Sequence, residues 1–442
     1  MSAAEFRELL AAYGSPLYVY DLDEVSAAAD RLFACLPRPS TLYYSFKANP
    51  HPWIARTLRG RGCRAEISSP GELAAALEAG FAGDSCLYTG PGKTAAEVDA
   101  ALAAGVRRFS VESAVDYRRI ADLAAARGIT ASCLVRVHAE GAQGATGVRM
   151  SGTPSPFGIT TGQFLATRDD FAPRPGAELT GAHFFPLSNA RDEASLIAEM
   201  THSVAQAARL RDTAGVELRT VDLGGGFAAP YARPGPPARY PALGAAVTSA
   251  LDTALPGWRE GAPEIAFESG RYLTGSSGHL LCTVTDVKTS HGRTYVVADT
   301  GVHHLGGLSA LGRIRPVSVQ AEPLTPAPPP PGAEPADATR AVLAGPLCTP
   351  ADVLSRDLTT DVPPRPGDVL IIPNVGAYGL TASLLGFLSH PAAAEVVVRG
   401  GEPVDVTRLS LVRTAHTPAT PPPSAVSGLG HPDGRSGPDA AG

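Results

Sequence analysis

The chain has 442 residues, enough for two domains or for one barrel-sized domain with a smaller companion. Its composition is 44% apolar and 18% charged with a formal charge of −6, an ordinary globular balance that advertises no surface for nucleic acid. The N-terminus MSAAEFRELL lacks a basic-then-apolar secretory pattern, no stretch approaches the roughly 20 apolar residues of a spanning helix, and six scattered cysteines form no CxxC pair, so the expectation is a cytoplasmic protein with free thiols, no metal and no membrane partner.

In chain order, TLYYSF (41–46) reads as a strand and PWIARTLRGRG (52–62) as a helix with its stop. CRAEIS is the next strand, and Ser69-Pro70-Gly71-Glu72 has the form of a capping box, with Gly80 as the helix stop. SCLYTG then EVDAALAAG, RRFSVE then VDYRRIADLAAARG, and SCLVRVH repeat the alternation. GAHFFPL, a helix over 191–214, LRTVDLGGG and PEIAFESG complete it. Strand–helix units over about 230 residues predict a parallel α/β domain of (β/α)8 barrel size, with a doubly wound sheet as the alternative.

After residue 275 the texture changes to strands without intervening helices: HLLCTVTDVKTS, RTYVVADTG, RIRPVSVQ, TRAVLAG, GDVLIIPN and AEVVVRGG. The Pro/Ala run from Glu322 to Asp337 reads as a surface loop, and the Pro/Ser/Gly-rich stretch 416–442 as a disordered tail. The expected division is therefore an N-terminal segment 1–35 that packs with the β domain, a barrel 36–275, a β domain 276–415, and the tail.

Three lysines (Lys47, Lys93, Lys288) stand against 34 arginines. Where arginine meets most needs for positive charge, a lysine can mark a place that needs an amine nucleophile, because a guanidinium stays protonated. Lys47 ends the first barrel strand, at the face where such barrels carry chemistry, and desolvation there lowers an amine's pKa. A snorkelling strand-end lysine is the plainer alternative. Gly224, Gly225 and Gly226 follow a late strand and suit a phosphate-binding loop, although a tight turn explains them too. Glu268, in FESGRY, can accept from a protonated pyridine nitrogen, and Gly270 with Arg271 can complete a phosphate site. His183 lies at another strand end, either structural or stacked on a ring. The adjacent His303 and His304 have poor geometry for one metal.

Taken together and in this order, GSPLYVYD, YYSFKANP, AEISSPGEL, YTGPGK, FSVES, FGI, VDLGGGF, ESGRY, ADTGV, GPLCTPAD and GAYG resemble the fold-type III pyridoxal-phosphate decarboxylases, the group of diaminopimelate, ornithine and arginine decarboxylases. The resemblance spans about residues 14–410. It implies an alanine-racemase-like barrel with a C-terminal β-sandwich or Greek-key-like domain, pyridoxal 5'-phosphate as cofactor, an amino-acid substrate, and a homodimer with shared active sites. Lys47 would hold the cofactor as a Schiff base, His183 would stack on it, and Glu268 would bind its ring nitrogen. Ser188, Gly224–Gly226, Gly270, Arg271 and Tyr378 would hold the phosphate. Cys348 would come from the partner subunit to protonate the carbanion, a role that separates decarboxylases from the racemases that share the barrel and use a tyrosine.

The departures concern substrate. Thr349 stands where the family commonly has Glu or Asp to pair with a distal ammonium, and a hydroxyl compensates a desolvated ammonium poorly. Asp352 remains at a position where the family also has an aspartate. Phe185-Pro186-Leu187-Ser188-Asn189 replaces the usual Gly-Ser-Gln. These features, with LTASLLGFLSHP after GAYG, are similar to members that act on conjugated amino acids in specialised metabolism, such as siderophore or antibiotic assembly. Diaminopimelate decarboxylase and an amino-acid racemase stand as alternative activities, and a non-enzymatic pyridoxal-phosphate carrier as an alternative class.

Overall fold

The computed structural model describes residues 1–138, 146–149, 156–306, 318–324, 339–360, 362 and 364–415. Eight parallel strands form a closed ring: Thr41–Ser45, Arg64–Ile67, Cys86–Tyr88, Arg108–Val111, Ala131–His138, Ala177–His183, Thr220–Asp222 and Glu264–Ser269. The last pairs with the first, Glu268 opposite Tyr43, so the sheet is a barrel and not a doubly wound layer. Inside it Tyr43, Leu87, Leu134 and Ala266 pack together, filling the interior as small barrels require. At the N-terminal rim Glu264 ties its strand to two that are not its neighbours, with Arg64 at 2.8 Å and Arg108 at 3.1 Å. That rim is held by structural ion pairs, which leaves the opposite rim for chemistry.

Polar caps set where the helices begin and so how far each strand-end loop reaches. Thr94, Ser113 and Asp192 accept N–H bonds from Glu97, Asp116 and Ser195 at the starts of Ala95–Ala103, Ala114–Ala126 and Glu193–Ala214. Each such cap is worth about 1 kcal/mol. In the box over residues 69–72, Ser69 Oγ accepts from Glu72 as expected, but Glu72 reaches back to the Ser68 N–H and hydroxyl instead of the Ser69 N–H. The carboxylate thus extends its bonding one residue beyond the cap. Gly80 follows with φ +87°, the left-handed stop that glycine accommodates best.

The second sheet runs in the order Val353–Thr360, Thr339–Ala344, Arg293–Ala298, Gly278–Ser290, Leu17–Asp21, Ala394–Arg399, Glu402–Arg408. Val369–Pro373 also pairs with Gly278–Ser290. That long strand serves two neighbourhoods because its register shifts between Val284 and Asp286, a bulge that bends it. Leu17–Asp21 lies inside this sheet, antiparallel to Gly278–Ser290 and parallel to Ala394–Arg399. The N-terminal segment therefore contributes a central strand to a sheet whose other members follow residue 275.

The helices Ala3–Tyr13, Leu22–Cys35 and Leu243–Ala254, and the strands Val353–Thr360 and Glu402–Arg408, are additional to the elements expected from sequence. Of the expected strand RIRPVSVQ, residues up to 317 lie outside the described residues, as does the tail from 416 to 442. Of the expected Pro/Ala loop, Glu322–Pro323 forms a short strand on Val369–Pro373, and the rest from 325 lies outside the described residues. Met1–Leu409 is one compact unit; Ser410–Gly442 is another, described only to residue 415.

Candidate active site

At the C-terminal rim of the barrel Lys47 follows the strand Thr41–Ser45 in a single 3-10 turn, Phe46–Ala48. Its Nζ lies 3.2 Å from Glu66 Oε2 and 5.3 Å from the centre of the Phe185 ring. The other two lysines have evident tasks elsewhere. Lys93 is buried against Asp116 at 2.7 Å, and Lys288 is exposed near Asp286. Lys47 was expected to have a lowered pKa. Partial desolvation acts in that direction, although the side chain is 41% exposed, but Glu66 and Glu268 outweigh it and raise the amine above its usual value. Glu66, itself buried, also accepts from the Thr89 hydroxyl. A lysine held this way is a charged anchor until its proton is taken, and Glu66 is the carboxylate in contact to take it.

Below Lys47 lies a buried floor of three groups. His183 Nε2 is 3.2 Å from Glu268 Oε1, and His183 Nδ1 is 2.7 Å from Ser110 Oγ. Asp222 accepts the Gly224 N–H at 2.8 Å. Burial would raise Glu268, yet His183 and Lys47 hold it below the usual carboxylate range, so it is ionised. Burial would depress His183, and Glu268 and Asp222 raise it instead. Asp222, buried beside the charged Glu268, is pushed up to about 7. These groups bring one ligand atom each within 4.8 Å of one another, a spacing open to a metal ion as well as to a shared proton.

One cleft above this floor is lined by Lys47, Ser188, Gly225 and Gly226 together with Glu268, Gly270, Arg271 and Tyr378. Gly224 and His183 lie directly behind it. Gly224 and Gly226 take φ values of +70° and +106°. A Cβ on Gly225 would come 2.7 Å from the Glu268 carbonyl oxygen and 3.2 Å from the Phe185 ring, so only glycine leaves the loop open. Arg271 stacks its guanidinium 4.6 Å from the centre of the Tyr378 ring. Tyr378 is tied to the Lys47 segment through its N–H to the Ala48 carbonyl at 2.7 Å. Buried Ser269 Oγ and Asp222 Oδ2 have no hydrogen-bond partner among the described residues. An ionised glutamate, open glycine backbone, an arginine, and unspent polar atoms beside a lysine fit an aldehyde-bearing pyridine phosphate.

The remaining expected residues lie apart from this cleft. Cys348 is exposed, in the turn between Thr339–Ala344 and Val353–Thr360. Thr349 caps that turn, accepting the Ala351 N–H at 3.3 Å. Asp352, expected to face substrate, is 2% exposed. Its two oxygens take the backbone N–H groups of Val302 and Leu347, each at 2.8 Å. Its surroundings support a different task, holding the Cys348 turn from beneath.

Sequence reading did not single out Glu66, Ser110, Asp222, Asn189 or Arg136 as site residues. Arg136 is buried, 3.0 Å from Glu112, with its guanidinium 4.8 Å from the Phe157 ring and 5.9 Å from that of Phe185. Glu66, Ser110 and Asp222 lie on barrel strands, and Arg136 two residues before the end of its own. Period-2 alternation along each expected strand was the available signal for them.

A barrel of this kind with a strand-end lysine over a buried glutamate defines a pyridoxal-phosphate enzyme of the alanine-racemase-like barrel class. Residues 22–275 match the family described as "Pyridoxal-dependent decarboxylase, pyridoxal binding domain". The chain is 30% identical over 405 residues to L-glutamyl-[BtrI acyl-carrier protein] decarboxylase of Niallia circulans, covering 91% of this chain and 92% of that one. It is 30% identical over 412 residues to diaminopimelate decarboxylase of Methanothermobacter thermautotrophicus, covering 92% of each. The crystal structure of diaminopimelate decarboxylase from M. jannaschii in co-complex with L-lysine superposes with a TM-score of 0.77 at 23% identity, over 90% of each chain. This chain therefore belongs to the pyridoxal-dependent decarboxylase family, and it is a carbon–carbon lyase with pyridoxal phosphate as its cofactor.

Proposed function

We propose that this enzyme removes the α-carboxylate of an amino acid whose far end carries no free ammonium, a conjugated or carrier-linked substrate of specialised metabolism. The observation that carries this reading is Thr349 beside Cys348. It offers a hydroxyl, already engaged with the turn's backbone, and no charge to a distal ammonium. The likeness to a decarboxylase of a carrier-linked glutamyl group supports it.

Bound pyridoxal phosphate supplies a sink for the electron pair left when carbon dioxide departs. Lys47 would hold the cofactor, with Glu66 3.2 Å away and able to receive the ammonium proton. Ionised Glu268 would accept from the ring nitrogen, and His183, kept in place by Ser110, would lie against the ring. Gly224–Gly226, Gly270, Arg271, Ser188 and Tyr378 would bind the phosphate. Cys348, exposed in its own chain, enters the site of a partner subunit in a homodimer and delivers a proton to the α-carbon. The barrel is taken as 36–275 and the β domain as 276–415, with segment 1–35 packed on the latter. A cytoplasmic setting agrees with six cysteines that are all free thiols.

Carbon dioxide release by the cofactor-loaded enzyme tests the proposal, with meso-diaminopimelate, ornithine, arginine, lysine, glutamate and a glutamyl pantetheine thioester in parallel. Turnover of the thioester alone is expected. Rapid release from diaminopimelate would make this a lysine-pathway enzyme and overturn the substrate assignment.

A further inference from the structure

A second cavity, of about 400 Å³, lies outside the Lys47 cleft, where Asn49–Arg56 of the barrel meets the strands Ala394–Arg399 and Glu402–Arg408. Its volume is in the range of small-molecule sites. Trp53, Pro50 and Leu409 give it an apolar wall, and Glu395 and Asp405 its polar end. Glu395 is 4% exposed, and its Oε1 accepts from the Tyr20 hydroxyl at 3.0 Å. No other hydrogen bond or ion pair reaches this carboxylate among the described residues, although it borders an open cavity.

The charges nearby do not neutralise this end. Asp405 Oδ2 lies 3.7 Å from His51 Nε2, and burial lowers the His51 pKa despite Asp405, leaving a neutral imidazole. Arg56 stays by the wall, its guanidinium 5.5 Å from the Trp53 ring centre and 3.8 Å from Glu78. Burial pushes Glu395 up to about 7, with Asp405 adding to the shift and the Tyr20 bond opposing it. Two carboxylates with no full cation between them, at the end of an apolar wall, match a positively charged head on a short hydrocarbon.

We propose that this cavity binds a small protonated aliphatic amine, its ammonium between Glu395 and Asp405 and its hydrocarbon along Trp53. The site is well placed to communicate with the Lys47 cleft. Asn49 and Thr381 line it, two and three residues beyond Lys47 and Tyr378. Asn49 Nδ2 also donates to the Gly376 carbonyl at 3.0 Å, so the two cofactor-bearing segments are joined beside the cavity.

Calorimetric titration of the cofactor-loaded enzyme with N,N-dimethylbutylamine tests the proposal without reference to turnover. This tertiary amine is protonated at neutral pH and cannot condense with an aldehyde. Saturable one-to-one binding is expected, weakened at least about tenfold in Glu395→Gln and in Asp405→Asn through loss of a carboxylate charge beside the ammonium. Trp53→Leu keeps both carboxylates and is expected to weaken binding as well. The neutral N,N-dimethylbutyramide is expected to give no heat. Absent binding at millimolar amine, equal binding of the amide, or affinity unchanged in the folded variants would overturn the assignment.

Discussion

The floor of the barrel mouth and the Cys348 turn are built on opposite plans. On the floor, His183, Glu268 and Asp222 are buried, mutually charged and supported by Ser110 and Gly224, all within one chain. On the turn, the Cys348 thiol is exposed, and the buried Asp352 is spent on two backbone N–H groups. The first region is already arranged for a ligand. The second presents one atom to its surroundings, as the proposed action in a partner's site requires.

The largest expected effect removes the lysine above the floor. Lys47→Ala removes the amine that holds the cofactor, so the visible absorbance of the lysine-linked cofactor disappears and carbon dioxide release falls to background. A band that survives in absorbance titration would remove Lys47 from its assigned place. Cys348→Ala breaks the other region alone. Absorbance stays at the wild-type level, while turnover drops roughly 10²–10⁴-fold, the usual worth of a positioned proton donor, and misprotonated aldehyde product accumulates by mass spectrometry.

Asp352→Ala separates presentation from chemistry. Stranding the Val302 and Leu347 N–H groups is expected to cost roughly 2–4 kcal/mol in denaturant unfolding, with cofactor absorbance unchanged. A fully stable variant with lost substrate affinity would return Asp352 to the substrate. A further, pH-dependent effect concerns Asp222. Its raised pKa favours the protonated fold, so its contribution is fully present below about 4 and is lost as pH climbs to about 7. The melting temperature of Asp222→Asn is therefore expected to gain on wild type across that window and run parallel above it. Parallel melting curves throughout would show that Asp222 does not titrate there.

The parts legible from sequence were those whose chemistry sits in one short segment. Lys47 at a strand end, the glycine triplet and Glu268 in FESGRY each carry a residue type and a local position that point the same way. The barrel followed from repeated strand–helix units, and the family from the order of its motifs. What escaped was set by closure of the barrel. Glu66 reaches Lys47 only because Arg64–Ile67 pairs beside Thr41–Ser45, and Ser110 meets His183 only because a single strand, Ala131–His138, separates theirs. Leu17–Asp21 joins a sheet made otherwise of residues beyond 275, a pairing that no local pattern announces. Asp352 shows the converse: its motif position suggested substrate, and the two N–H groups around it, invisible in sequence, support a structural task. Lys47 shows the limit of local reasoning most plainly, since burial alone predicts a lowered pKa and two carboxylates from other strands reverse it.

In the proposed homodimer each active site draws its floor from one chain and its thiol from another. Mixing Lys47→Ala and Cys348→Ala proteins, each inactive alone, tests this directly by carbon dioxide release after subunit exchange. Random pairing into dimers gives each mixed dimer one intact site, so recovery of about a quarter of wild-type activity is expected. Activity that stays at background after demonstrated exchange would contradict the shared site and place Cys348 in the site of its own chain.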